Sequence, residues 1–293
     1  MSGALKEVRN RIKSVQSTQQ ITKAMKMVSA AKLRRAQDAI TQMRPYSQKL
    51  QEMLSNIVSN TEAEAGGALT SERAPEKLLI ILITSDRGLC GGYNANLIKL
   101  ARLTISEQYN LQNSKGNVTV WGIGKRGADS MEKMGYKTSA AFRDVFLQLS
   151  FENVQAAAKA AMDAFVKKEF DRVEIVYSEF KNAATQRFHL ERFLPIPKIA
   201  KVPGAAKSDF IFEPDKEKLI AELMPKILNT QLYKAVLDAN ASEHGARMTA
   251  MDKASENANE LLKVLKISYN RARQAAITTE LTEIVSGAAA LQG

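Results

Sequence analysis

The sequence predicts a small α/β domain inserted between two long terminal helices that pair as an antiparallel coiled coil. Three observations carry this. Residues 4–44 contain neither Gly nor Pro, residues 246–286 are equally free of both, and between these stretches short apolar runs alternate with helix-like segments. Gly and Pro are the residues that most often end a helix, so two such long stretches at opposite ends of one chain make two long helices the natural reading. The divisions that follow are a first helical segment over residues 1–62, an α/β domain over 63–207 and a second helical segment over 208–293.

A heptad can be written through the first segment. With Leu5 as the first a position, the a series is Leu5, Ile12, Gln19, Lys26, Leu33, Ile40, Ser47 and Leu54, and the d series is Val8, Val15, Thr22, Ser29, Ala36, Met43, Leu50 and Ile57. Eleven of these sixteen are apolar, which is the pattern that drives two helices together. The seam turns polar at Gln19, Thr22, Lys26 and Ser29, while Ile21, Met25 and Val28 carry apolar character one position away. That reads as a drift of register, or as a stretch facing something other than the partner helix. At 1.5 Å per residue, about 55 residues would give a rod of roughly 80 Å, so an elongated molecule is expected.

The second segment is bracketed by Gly245 and Gly287. Its seam reads Met251, Ala254, Ala258, Leu261, Leu265, Ser268, Ala272 and Ala275, then, after a shift, Ile277, Leu281, Ile284, Ala288 and Leu291. Helical signal also runs over residues 215–237, with Pro225 expected to kink or break it.

In the middle, residues 77–84 form a continuous apolar run of the kind buried on both faces of a sheet. A helix is expected at 94–109, a strand at 117–121, a helix at 126–134, an Ala-rich helix at 151–168 and a strand at 173–177. An edge strand is expected at 185–194, stopped by Pro195 and Pro197. This alternation predicts a parallel, Rossmann-like sheet. Residues 64–67 and 195–207 are the candidate linkers.

At 293 residues, 45% hydrophobic and 25% charged, the chain has the make-up of a folded protein rather than a disordered one. No apolar run approaches the roughly 18 residues needed to span a bilayer, and the N-terminus lacks the apolar core of a signal peptide, so neither a membrane span nor secretion is expected. Cys90 is the single cysteine, and His189 and His244 are the only histidines, so no intrachain disulfide and no Cys/His metal cluster can form. The net charge of +11 calls for an acidic partner. Residues 1–60 hold eleven Lys/Arg against three acids, a local net of +8, so most of the excess lies on the first helix.

Two Gly-rich turns invite an enzymatic reading. Gly122, Gly124 and Gly127 follow a predicted strand and open a helix, the setting of a dinucleotide fingerprint, and Asp144 lies near the usual distance for a ribose-binding acid. Against this, the pattern follows the second strand and its helix is short. Residues 84–92, with Asp86, Arg87, Gly88, Cys90, Gly91 and Gly92, form a second strand-to-helix turn, but they lack the Lys-Ser/Thr ending of a phosphate-binding loop. They read as a tightly packed turn with Cys90 as a small buried side chain. The basic first helix raises a third possibility, nucleic-acid binding. Against that, residues 1–60 contain one aromatic, Tyr46, and so no stacking platform. No acid/base pair stands out, and no catalytic residue, cofactor or metal site is assigned.

Near the C-terminus, Ile277, Thr278, Glu280, Glu283, Gly287 and Ala288 fall at the spacing of a family signature. The chain resembles the central-stalk gamma subunits of F-type ATP synthases. Residues 21–32, 85–92, 242–251 and 270–274 are similar to the same family, in the same order. The resemblance implies a non-catalytic rotor. The paired helices would turn inside a ring of three alpha and three beta subunits, and the α/β domain would form a foot with the epsilon subunit on the c-subunit ring, so membrane association is indirect. It further implies that Lys23, Met25 and Lys26 meet acidic beta-subunit loops, and that Arg273, Gln274, Thr278, Glu280 and Glu283 meet the surrounding ring. Chloroplast members carry a cysteine-bearing regulatory segment where residues 195–215 are short and cysteine-free, so redox control is not expected. A chain that begins directly with the shaft helix fits a bacterial enzyme on the cytoplasmic face of the plasma membrane.

Overall fold

A computed structural model describes residues 3–59, 67–183, 185–196 and 216–292. The expected segment boundaries near 62 and 207, and most of both candidate linkers, lie outside the described residues. So do the side chains of the last seam positions, Leu54 and Ile57. Two compact units are present: residues 1–29 with 248–293, and residues 30–247.

In the first unit, the N-terminal part of α1 (Gly3–Ser59) and the C-terminal part of α6 (Lys216–Gln292) run side by side. Arg9 Nη2 donates to the Tyr269 hydroxyl at 2.9 Å, Thr22 Oγ1 lies 2.7 Å from Ser255 Oγ, and Lys26 Nζ meets Asp252 at 2.5 Å. Numbers rise on one helix as they fall on the other, so the pair is antiparallel, as the periodicity predicts.

The seam departs from expectation in two places. On α1 no drift occurs: Thr22 and Ser29 are buried on the heptad, while Ile21 and Val28 are each 57% exposed. The polar stretch is a polar layer inside the pair, because each hydroxyl finds an acceptor. Thr22 Oγ1 donates to Gln19 O or shares its proton with Ser255, and Ser29 Oγ donates to Met25 O. On α6 the buried series is Met251, Ser255, Ala258, Leu262 and Leu265, a strict four-three rhythm. The expected Ala254 and Leu261 are displaced by one residue: Leu262 is 6% exposed and Leu261 41%. Alternating small and large residues at neighbouring positions left two seams open to a reading of one helix, and only packing against α1 selects between them.

In the second unit, a five-stranded sheet has the order β3-β2-β1-β4-β5. The strands are β1 (Leu78–Ile83), β2 (Val118–Ile123), β3 (Lys137–Ser139), β4 (Arg172–Phe180) and β5 (Gln186–Leu194). The first four are parallel and β5 is antiparallel to β4, so the sheet is mixed rather than purely parallel. The hairpin between β4 and β5 is too short for a crossover, which obliges the strand to return antiparallel. β3, three residues long, went unpredicted. β1 is buried along its whole length, as its uninterrupted apolar run requires.

One face of the sheet packs on α5 (Phe151–Val166) and on Met224, Leu228, Leu232, Val236 and Ala239 of α6. The other packs on α2 (Tyr93–Gln108) and on Met131 of α4 (Lys125–Lys133). A short α3 (Asn110–Ser114) follows α2.

α6 is continuous through Pro225, Gly245 and Gly287, so these residues neither break nor bracket it. Gly245 has a packing reason to be there: a Cβ would lie 3.2 Å from the Ala183 Cα. The helix continues because buried contacts outweigh the roughly 1 kcal/mol that a helical glycine costs. Replacing Leu262 with Ala is expected to cost about 2 kcal/mol or more, and replacing Leu261 less than about 0.5 kcal/mol, read by thermal unfolding. Equal effects would contradict the buried register.

Candidate functional site

The residues that the family resemblance marks for partner contact fall in two places on the helix pair. Lys23 is exposed, Met25 is half-buried beside the polar layer, and Lys26 is held by Asp252 with both side chains a little under half exposed. Arg273, Gln274, Thr278, Glu280 and Glu283 are all exposed, with Thr278 Oγ1 donating back to Gln274 O at 3.0 Å. Along α6, the 21 residues from Asp252 to Arg273 correspond to roughly 30 Å, so the two groups are separate patches.

The second patch has an unusual setting. Arg9 lies against Tyr269, so α1 at its Gly3 start reaches α6 only near residue 275. Beyond that point, among the described residues of its unit, none lies beside α6, and every residue from 277 to 291 is exposed. The expected shifted seam, Ile277, Leu281, Ile284, Ala288 and Leu291, therefore does not face α1. It is a single helix of roughly 24 Å with bare apolar side chains, beside the acids Glu280 and Glu283. Val264 and Ile267, ten and more residues earlier on the helix, are exposed as well but do not continue this stripe. Contiguous exposed apolar surface of this kind marks a contact surface.

The turn at residues 85–92 is a joint between elements. Asn94, on the first turn of α2, accepts from Ser85 N at 3.0 Å and donates to Ser85 Oγ at 2.7 Å and to Cys90 Sγ at 3.2 Å. Asp86 Oδ1 accepts from Lys125 N at 3.2 Å at the start of α4. Arg247 of α6 donates to Arg87 O at 3.1 Å and Gly88 O at 3.3 Å, and its other nitrogen pairs with Glu243 one helical turn earlier. Burial pushes the Glu243 carboxyl up, and Arg247 pulls against that shift. Two stretches about 160 residues apart in the chain, 85–92 and 242–247, thus form a single structure. The Glu243/Arg247 spacing is legible as a helical ion pair. Its docking on the turn, and the parts played by Tyr93, Asn94 and Ser242, gave no signal in the sequence.

The glycines of the apparent dinucleotide fingerprint are filled by the protein itself. A Cβ at Gly122 would come within 2.5 Å of Ala128 Cβ, one at Gly124 (φ +94°) within 2.0 Å of Thr84 O, and one at Gly127 within 2.7 Å of the Thr84 side chain. Asp144 is paired with Lys125 Nζ at 2.9 Å rather than standing ready for a ribose. These glycines serve the close packing of β2 and α4 on the end of β1. The crevice between the carboxyl ends of β1 and β4, where a doubly wound sheet usually places its ligand, is occupied by α6: Ser242 Oγ donates to Ser178 O at 3.2 Å.

His244 lies beside this joint, with Arg247 Nη1 3.5 Å from its Nδ1 and Lys32 nearby. Burial and these two cations lower its pKa from the ordinary 6.5 to about 4. Between those values the unfolded chain takes up a proton that the folded chain refuses, so this residue costs stability as the pH falls from 6.5 toward 4. His244→Gln is expected to gain thermal stability relative to the parent over that window and to show no pH-dependent gain above it, read as Tm against pH.

Comparison with known proteins agrees with this arrangement along the whole chain. The family model described as ATP synthase matches residues 4–291. The ATP synthase gamma chain of Cytophaga hutchinsonii is 52% identical over 291 residues, covering 98% of this chain and 99% of that protein. The gamma chains of Flavobacterium johnsoniae and Chlorobaculum parvum are 52% and 49% identical, with 99% and 98% of this chain covered and 99% of each relative. Among solved structures, a chain of the Euglena gracilis mitochondrial ATP synthase in rotational state 3 superposes with a TM-score of 0.66 at 20% identity, covering 99% of this chain and 95% of that one. A chain from the rotor of the same enzyme superposes with a TM-score of 0.64 at 21% identity, covering 94% and 100%. At those identities the structural likeness speaks for the fold, and the curated relatives speak for the family: this chain belongs to the ATP synthase gamma-chain family.

Proposed function

We propose that this chain is the central rotor of an ATP synthase, coupling ion flow through a membrane ring to the conformational cycle of catalytic subunits while doing no chemistry itself. The observation that carries the reading is the bare apolar end of α6, which has no partner of its own on a chain that matches gamma chains over its full length. In this reading the segments 1–62 and 208–293 form the shaft within a ring of alpha and beta subunits. The segment 63–207 forms the foot, which meets the epsilon subunit and the c ring. Lys23, Met25 and Lys26 face acidic loops of beta subunits, and Arg273, Gln274, Thr278, Glu280 and Glu283 face the ring near its far end. Asp86, Arg87, Gly88, Cys90, Gly91 and Gly92 act as the structural turn of the foot.

The physical logic is one of differential contact. A shaft that presents different side chains to each of three equivalent neighbours biases each toward a different state, and turning the shaft exchanges those states without chemistry on the shaft. Among the described residues no helix is long and apolar enough to cross a membrane, and in this reading attachment runs through the c ring. The place of action is the cytoplasmic face of a bacterial plasma membrane. The packing of the fingerprint glycines against the chain's own backbone and side chains speaks against the dinucleotide enzyme, and the full-length match to gamma chains speaks against the nucleic-acid binder.

Expression of this chain with matching alpha and beta subunits is expected to yield a complex with one copy per three alpha and three beta and with ATPase activity. A free chain would contradict the reading. Replacing Arg273 and Gln274 together with Ala is expected to slow rotation under load by about tenfold, equivalent to ~1.4 kcal/mol of lost contact energy. Unchanged torque and turnover would remove those two side chains from the coupling surface.

A further inference from the structure

We propose that the α/β domain grips α6 at residues 239–247, and that this grip, rather than the α1 side, is the joint through which torque passes between domain and shaft. The torque half of the proposal rests on the rotor reading above; the grip itself does not.

Three elements hold this stretch of α6. The Tyr93 hydroxyl of α2 donates to Ala239 O at 3.0 Å, Ser242 Oγ donates to Ser178 O of β4, and Arg247 donates to Arg87 O and Gly88 O of the turn after β1. The contacts at 239, 242 and 247 spread over about two helical turns and across more than one face of α6. Every bond ends on a backbone oxygen, so it is anchored to the framework and not to a mobile side chain. Tyr93, Ser242 and Arg247 are all buried, and Gly245 leaves α6 too close to Ala183 for an unstrained methyl group. Turning α6 about its axis, or sliding it, would break all three attachments together.

The α1 side of the same unit is built differently. Ile40, Met43, Arg44 and Ser47 border a cavity of about 260 Å³ shared with Glu179 and Phe180 at the end of β4 and with Lys234, Leu237 and Asp238 of α6. The cleft is open and partly polar, so Met43, Arg44 and Ser47 meet it through charge and water, with Arg44 acting on Asp238 across it, rather than, among the described residues, through hydrogen bonds to the sheet backbone. At this level α6 is bonded to the sheet backbone, whereas α1, packed through Leu33, Ala36, Ile40 and Leu50, borders an open cleft on one side.

The test uses the full chain and then the assembled complex. Tyr93→Phe keeps the ring and removes only the hydroxyl, and Ser242→Ala removes the second attachment. In the full chain the double variant is expected to speed amide exchange over residues 239–247 on the order of tenfold, with residues 40–47 unchanged. In a complex with native alpha and beta subunits, stalled with the ring fixed, the angular variance of a probe on the α/β domain is expected to widen about twofold, while unloaded ATP hydrolysis stays at the parent rate. Met43→Ala, which enlarges the cavity beside α1, is expected to leave that variance unchanged. Unaltered exchange in the double variant would overturn the grip. Unaltered variance, or an equal widening by Met43→Ala, would overturn its role as the torque joint. Failure of the parent chain itself to assemble with alpha and beta subunits would overturn the rotor reading, and the exchange result would still decide the grip.

Discussion

An isolated helix cannot bury its own apolar stripe, and the pairing of α1 with α6 is the constraint from which the rest of this molecule follows. A two-helix pair has only one seam to bury, so most of each helix surface stays in water and most of the side chains can be chosen for other contacts. The seam here is not uniformly apolar. At its centre Thr22 meets Ser255, and Lys26 meets Asp252. Such a layer contributes less than leucines would, but it disfavours a slip of one helix along the other, because a slip would separate Thr22 from Ser255 and Lys26 from Asp252 while each hydroxyl kept only its own-helix backbone acceptor. In a shaft that must keep its helices in register under load, that is a useful exchange.

The α/β unit shows how a ligand-binding architecture can be turned to holding a helix. The strand order places a crevice at the carboxyl ends of β1 and β4, and α6 fills it with Ser242 while Arg247 caps the turn after β1. The glycines that could have admitted a pyrophosphate instead let β2 and α4 close on Thr84. The buried Glu174 carboxyl, raised by desolvation, is tied to the Tyr109 hydroxyl at 2.5 Å and so fastens the end of α2 to β4. Polar groups at this end of the sheet serve to join elements rather than to hold a ligand.

The legible parts of this structure are those set by local pattern. The buried series on α1 coincides with the heptad written from Leu5, since a 3.5-residue repeat sustained over many turns has one geometric meaning. β1 was evident because six consecutive apolar residues fit only a strand covered on both faces. The misreadings share a different cause. On α6, alanines and leucines at adjacent positions permitted two seams, and Leu262 rather than Leu261 is inside. Gly245 looked like a helix end and is a close-packing site, while β3 pairs through only three residues and has too little pattern to register. The overhang beyond residue 276 reads as more seam in the sequence because apolar periodicity reports a stripe without reporting whether a partner is present.

By itself, then, the sequence determined two long helices, an alternating α/β middle, a basic first segment and the family to which the chain belongs, because each depends on residues near one another or on motifs matched in order. Only the tertiary structure decided which face of α6 is buried, that the polar layer lies inside the pair, that residues 85–92 and 242–247 form one joint, and that the end of α6 stands bare. Those outcomes depend on which groups from distant parts of the chain come within a few ångströms of one another. One-dimensional periodicity carries no such distances.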